Sequence, residues 1–136
     1  KHNEKLVAKY KAIQENEVMF EEMETKDAEY IMVAYGLCAR ICHKAVNIAR
    51  EKGIKVGLLR PITLFPYPSK RLAELAEKSK FMLTVEMNSG QMIEDVKLSV
   101  NGKVPVEFYG RLGGMIPSPE EIVDKLENLI QNSHAI

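Results

Sequence analysis

The chain has no tryptophan, only two cysteines and three histidines, and no excess of either charge, since 19 Lys and Arg balance 19 Asp and Glu. Each shortage closes off a class of function. Without a net positive field nothing draws the whole domain to nucleic acid or to an anionic lipid surface. The apolar runs, such as Tyr30 to Tyr35 and Phe81 to Val85, fall far short of the ~20 residues that cross a bilayer. Lys1 to Lys11 is charged and has no apolar stretch ahead of a small-residue cleavage site, so it does not read as a secretory signal, and the chain reads as cytoplasmic. It opens on Lys1 and not on methionine, as a piece of a longer or processed chain would. Ser-His-Asp patterning, a Gly-x-Ser-x-Gly elbow and a P-loop are all absent from the sequence.

Cys38, Cys42 and His43 invite a metal reading. The three-residue gap between the cysteines is not the usual two-residue spacing of a zinc site, and no second ligand pair exists. Neighbours stacked on one helix face rarely bring Cβ vectors together for a disulfide, so reduced thiols in a reducing compartment are expected. His2 and His134 lie near the ends of the chain and are expected to be solvated. The seven methionines read as core and interface filler.

What is present suits one folded domain. The length of 136 residues, with 46% apolar and 28% charged side chains, supports a single core. Leu6, Val7, Tyr10 and Ile13 predict a leading helix over Asn3 to Gln14, while Val18 to Met23 is open between helix and edge strand. Tyr30 to Tyr35 reads as a strand buried on both faces, ending at Gly36. A helix from Leu37 to Lys52 closes at Gly53, and a strand over Lys55 to Leu59 stops at Arg60-Pro61. Ser69 is placed as the cap of a helix running to Ser79, followed by a strand over Phe81 to Val85. Then come a helix over Gln91 to Val100, a strand over Val104 to Tyr109, and a last helix opened by Ser118-Pro-Glu-Glu121 and running to about Gln131. The alternation predicts an α/β fold with a parallel sheet between two helix layers.

In such sheets, ligands and partners gather at the carboxyl ends of the strands. Four clusters fall there: Gly36 with Arg40; Arg60, Pro61 and Thr63; Glu86, Asn88, Ser89, Gly90 and Gln91; and Gly110, Arg111, Gly113 and Gly114. Arginines and glycine-exposed amides on one rim could bind an anion. The plainer readings stand beside that one. The glycines supply turns, Arg60 pairs with Glu86 across neighbouring strand ends, and Gly113-Gly114 is loop geometry.

Taken in order, the rim segments resemble one family. They are Val33-Ala-Tyr-Gly36 with Ala39-Arg40, Val56-Gly-Leu-Leu-Arg-Pro-Ile-Thr-Leu-Phe-Pro66, Glu86-Met-Asn-Ser-Gly-Gln91 with Glu94-Asp95-Val96, and Phe108-Tyr-Gly-Arg-Leu-Gly-Gly114. The resemblance is to the C-terminal domain of the alpha subunit of 2-oxoacid:ferredoxin oxidoreductases, of the 2-oxoisovalerate or 2-oxoglutarate type. It covers Asp27 to Leu129 and rests on the order of four motifs. It implies a transketolase C-terminal-like fold: three layers around a mostly parallel five-stranded sheet, with Val18 to Met23 as an antiparallel edge strand. In that frame residues 1–26 hold the leading helix and edge strand, residues 27–132 the α/β unit, and the whole is one domain.

The resemblance also implies a parent enzyme that decarboxylates a 2-oxoacid oxidatively on thiamine diphosphate with magnesium. Electrons pass through iron–sulfur clusters to ferredoxin, and an acyl-CoA is formed. Neither the Gly-Asp-Gly diphosphate signature nor a cluster-binding set of cysteines is in this sequence. The chain alone is therefore expected to be a non-catalytic assembly domain with no metal or cofactor of its own. Its expected partners are other domains and subunits of the oxidoreductase, with a dimer as one arrangement. Gly36, Arg40, Arg60, Pro61, Thr63, Glu86, Asn88, Gly90, Gln91, Arg111, Gly113 and Gly114 are its rim or interface candidates. Arg40, Arg60 and Arg111 are the groups that would attract a substrate carboxylate or a CoA phosphate. Leu37 and Cys38 depart from the small polar residues expected at that turn. The alternatives are an independent flavodoxin-like domain that binds a nucleotide or other small molecule, and a purely structural dimerisation domain.

Overall fold

The computed structural model describes residues 11–15, 18–63, 67–87, 91–110 and 116–134, with backbone alone at 11–15, 91 and 133–134. In chain order the elements are β1 (Lys11–Glu15), β2 (Val18–Met23), β3 (Tyr30–Val33), α1 (Gly36–Glu51), β4 (Val56–Pro61), α2 (Ser69–Ala76), β5 (Phe81–Glu86), α3 (Gln91–Val100), β6 (Val106–Gly110) and α4 (Pro119–His134). They build one sheet of order β1-β2-β4-β3-β5-β6. β4, β3, β5 and β6 are parallel, while β2 runs antiparallel to β4 and β1 antiparallel to β2. The α/β class and the antiparallel setting of Val18–Met23 are as the sequence suggested.

The leading helix needs correction. Residues 1–10 lie outside the described range, and Lys11–Glu15 is a strand that gives the sheet a sixth member beyond β2. Its register, from Glu15 opposite Val18 to Lys11 opposite Glu22, is a hairpin register with two residues between the strands. The helical stripe at its end is short, and pairing covers the otherwise open edge of β2; ladder hydrogen bonds outweigh a weak local helix preference.

Alternate residues of the central strands enter two separate cores. Met23, Tyr30, Met32, Val56, Leu58, Phe81, Leu83 and Val85 pack against α1 and α4. Phe20, Ile31, Val33, Leu59 and Met82 pack against α2 and α3. β3 and β5 are buried on both faces, which is why their sequences run apolar without alternation. On α1 the buried positions Cys38, Ile41, Cys42, Ala45, Val46 and Ala49 follow the three-and-four spacing of one helix face. That helix ends as Gly53 predicts. Gly53 has φ +86°, its N–H donates to Arg50 O, and Ile54 N–H donates to Ala49 O, the paired bonds of a left-handed C-terminal cap. α4 opens on a reciprocal box: Glu121 N–H donates to Ser118 Oγ at 3.1 Å, and Ser118 N–H donates to Glu121 Oε1 at 2.7 Å. Ser69 departs from expectation. It is the first helical residue of α2, after Pro68, and its hydroxyl meets Ser99 Oγ at 3.0 Å instead of capping.

Candidate functional site

Because β3, β4, β5 and β6 run in parallel, their carboxyl ends form one rim of the sheet, and the described members of the expected site, Gly36, Arg40, Arg60, Pro61, Thr63 and Glu86, lie at or just after those ends. Glu86, the last residue of β5, is 2% exposed. Its Oε1 accepts the Met92 N–H at 2.9 Å and its Oε2 the Ile93 N–H at 3.0 Å. Those amides belong to the first turn of α3, where unpaired donors and the positive helix end favour an anion. The fold's own carboxylate fills that position.

Arg60 does not pair with Glu86. β3 lies between β4 and β5, so the two residues stand on strands that do not touch. Arg60 instead bonds Glu21 Oε1 at 2.9 Å, opposite it on antiparallel β2. Thr63 also turns toward β2: its Oγ1 accepts the Met19 N–H at 2.9 Å, and the Ile62 and Thr63 amides donate to Met19 O at 2.9 and 3.0 Å. Pro61 is buried opposite Phe20. Gly36 opens α1 at φ +61°, with nothing within 4 Å of the place a Cβ would take. That conformation suits glycine, and the space in front of it is open. Arg40, one turn along α1, is exposed and has no ion-pair partner among the described residues. Asn88, Gly90, Arg111, Gly113 and Gly114 lie outside the described residues, and Gln91 is described only as the first backbone position of α3.

The thiols are not poised for chemistry. Cys38 and Cys42 are both free and buried. Burial, followed by the nearby Glu86 charge, pushes the Cys38 thiol up, and burial, followed by Cys38, pushes Cys42 up further. Metal ligation and nucleophilic attack both need thiolate, which such surroundings suppress. Burial likewise lowers the His43 pKa. Among the described residues no three His, Cys, Asp or Glu side chains come together as a metal-binding group.

A polar cluster away from the rim escapes sequence reading. Glu22 on β2 is 6% exposed and accepts hydrogen bonds from Thr25 Oγ1, from Arg71 Nε and from Arg71 Nη2, the last at 2.9 Å. Arg71 Nη1 reaches Glu74 Oε1 at 3.0 Å. The hydrogen bonding of Arg71 to Glu22 is the foremost cause of the raised Arg71 pKa, as a paired guanidinium requires. The signal was the Glu21-Glu22 interruption of an apolar strand, half of which points inward. Near the rim, the Tyr67 hydroxyl is buried without a hydrogen-bond partner among the described residues. Burial, then the charges of Asp95 and Glu86, pushes its pKa up.

Among the described residues of this rim, Glu86 is turned inward, Arg40 stays exposed, and apolar side chains also remain outside. Leu37 is 45% exposed, Ile62 41% and Ile116 53%, all in segments that follow the carboxyl ends of strands. Leu98, 79% exposed on α3, is the fourth large apolar side chain left in solvent among the described residues.

Comparison with known proteins adds lineage to this geometry. Residues 28–122 match the family model described as pyruvate:ferredoxin oxidoreductase core domain II. The chain is 48% identical over 129 residues to the ketoisovalerate oxidoreductase subunit VorB of Methanothermobacter marburgensis, covering 95% of this chain and 36% of that protein. It is 37% identical over 102 residues to the 2-oxoglutarate synthase subunit KorA of the same organism, covering 75% of this chain and 27% of that protein. It thus spans about a third or less of the length of these curated relatives. Among solved structures, a 2-oxoglutarate:ferredoxin oxidoreductase from Magnetococcus marinus superposes with a TM-score of 0.72 at 21% identity, covering 80% of this chain and 19% of that one. A split-gene transketolase superposes with a TM-score of 0.67 at 18% identity, covering 79% and 40%. At these identities the two superpositions establish the fold alone.

Proposed function

This chain belongs to the pyruvate:ferredoxin oxidoreductase core domain II family, and from that premise we propose that it is a non-catalytic assembly domain of a 2-oxoacid:ferredoxin oxidoreductase. The parent enzyme decarboxylates a branched 2-oxoacid of the 2-oxoisovalerate type, passes the electrons to ferredoxin and releases an acyl-CoA, in the cytoplasm. The observation that carries this reading is the 48% identity to a ketoisovalerate oxidoreductase subunit, sustained over 95% of the chain. The lower identity to the 2-oxoglutarate subunit, 37%, supports putting 2-oxoisovalerate ahead of 2-oxoglutarate.

Thiamine diphosphate, magnesium and the iron–sulfur clusters belong, in this reading, to other parts of the parent. The described residues of this chain do not suit them: both thiols are buried and raised, and the one buried carboxylate on the rim is engaged by α3. The same engagement argues against an independent nucleotide-binding domain. A phosphate at the start of α3 would have to displace Glu86, and the first turn of α1 offers Leu37, Cys38 and Ala39, none with a hydroxyl.

The test is anoxic affinity capture of the polypeptide in its full native reading frame, with assays for thiamine diphosphate, iron and 2-oxoacid-dependent ferredoxin reduction. A multi-subunit complex that contains both and turns over 2-oxoisovalerate faster than 2-oxoglutarate is expected. A lone polypeptide with neither would overturn the assignment.

A further inference from the structure

Two exposed apolar side chains and one arginine share a corner of the rim. Leu37 and Arg40 lie three residues apart in the first turns of α1, a spacing that sets them on one helix face. Ile62 follows β4, and Gly36 would stand opposite it if the parallel register of β3 with β4, Val33 opposite Leu59, continued three residues. Val56 and Leu58 pack on the α1 side of the sheet, and the two-residue alternation carries that side to Arg60 and Ile62. Here the sheet leaves Leu37 45% and Ile62 41% exposed, and the Arg40 charge has no ion-pair partner among the described residues. Of the neighbouring polar side chains, Arg60 pairs with Glu21 and Thr63 with Met19.

Apolar anchors beside an unmatched arginine are the composition of a protein–protein contact. The relatives supply the candidate for what covers it, since the matched region is only 36% of the ketoisovalerate subunit's length and 27% of the 2-oxoglutarate subunit's. We propose that Leu37, Ile62 and Arg40 dock this domain against another folded part of the same, longer polypeptide. The docked surface would present an apolar patch with a carboxylate opposite Arg40. This inference rests on the family reading above and adds to it a surface and the chemistry of its occupant.

The experiment uses the full-length polypeptide within its purified complex. A photo-crosslinking amino acid is placed at Leu37, at Ile62 or at Leu98, the last being 79% exposed but on α3, away from this corner. The expected result is a crosslink from Leu37 and Ile62 into the polypeptide's own sequence outside this domain, with the product still at monomer mass on a denaturing gel and none from Leu98. Products at twice the monomer mass would mean a second copy, products joined to another subunit would mean an intersubunit contact, and no product from either rim position would mean open solvent. Each of those three overturns the proposal. Leu37→Glu with Arg40→Glu gives a second reading. Both positions are exposed near the N-terminal end of α1, where an acid is compatible with folding, so loss of the crosslink from Ile62 in this variant, with Arg40→Lys retaining it, is expected. An unchanged crosslink in the double variant would overturn the carboxylate partner. Thiamine diphosphate and iron in the unmodified complex report separately on the family reading, so the two can fail independently.

Discussion

Glu86 shows how one residue can be located correctly by sequence and misassigned in role. Its position after an apolar strand and before a glycine-containing turn marked it for the rim, and it is there. Its partner was not legible, because pairing with Arg60 assumed that strands consecutive in sequence were neighbours in space. β3 stands between them, and the sequence does not order a sheet. With both carboxylate oxygens bound to α3 amides in a buried setting, Glu86→Ala strands two donors and is expected to cost about 2–3 kcal/mol. Glu86→Gln keeps one acceptor and is expected to cost about half as much. Urea unfolding of the two variants checks this, and equal losses would mean that the carboxylate is not holding both amides. Arg60 is the counterexample: its link to Glu21 is half-exposed, and such pairs contribute little.

At the scale of elements, legibility followed caps and periodicity. α1 and α4 were read closely because Gly53 and the Ser118–Glu121 box mark their ends in residue types that have few other uses. Lys11–Glu15 was misread because its fate depends on β2, a tertiary partner that a local window does not contain. The C-terminal end of α1 shows what fastens an element beyond its own hydrogen bonds. Arg50 donates from Nη1 and Nη2 to Asp27 at 3.0 and 2.8 Å, from Nε to Val56 O at 3.1 Å and from Nη2 to Glu24 O at 2.9 Å, tying the helix to the segment before β3 and to the first residue of β4. The Arg50 hydrogen bond holds the Asp27 pKa below its ordinary 3.8. A depressed carboxylate pKa adds stability above the unfolded value, and that contribution disappears as pH falls through the folded one. Asp27→Asn is therefore expected to unfold at lower urea than the wild type at neutral pH. The gap should close as pH drops below 3.8. A gap that did not narrow at all on acidification below that value would mean that Asp27 acts through something other than its charge.

For the whole molecule, the question is where the folding unit begins. The sequence reading took the whole as one domain, with the leading helix and edge strand in residues 1–26 and the α/β unit in residues 27–132, and the packing shows how much of that unit leans on β2. Phe20 and Met23, 5% and 0% exposed, enter the two cores on opposite faces of the sheet, and Glu22 between them neutralises Arg71. Losing two such apolar side chains forfeits about 1.5–3 kcal/mol each. An arginine left partly buried without its carboxylate adds further cost. Against a total stability of about 5–15 kcal/mol, that sum removes much or all of the margin. A chain starting at Val18 is therefore expected to unfold cooperatively in urea, and one starting at Asp27 to lose that cooperativity while keeping helical circular dichroism, as a collapsed state without fixed packing does. If the Asp27 chain instead unfolded in a single sharp transition at a similar midpoint, β2 would be an attachment to the fold. The Glu22–Arg71 pair would then be a local clasp between that strand and α2, with no part in holding the two cores together.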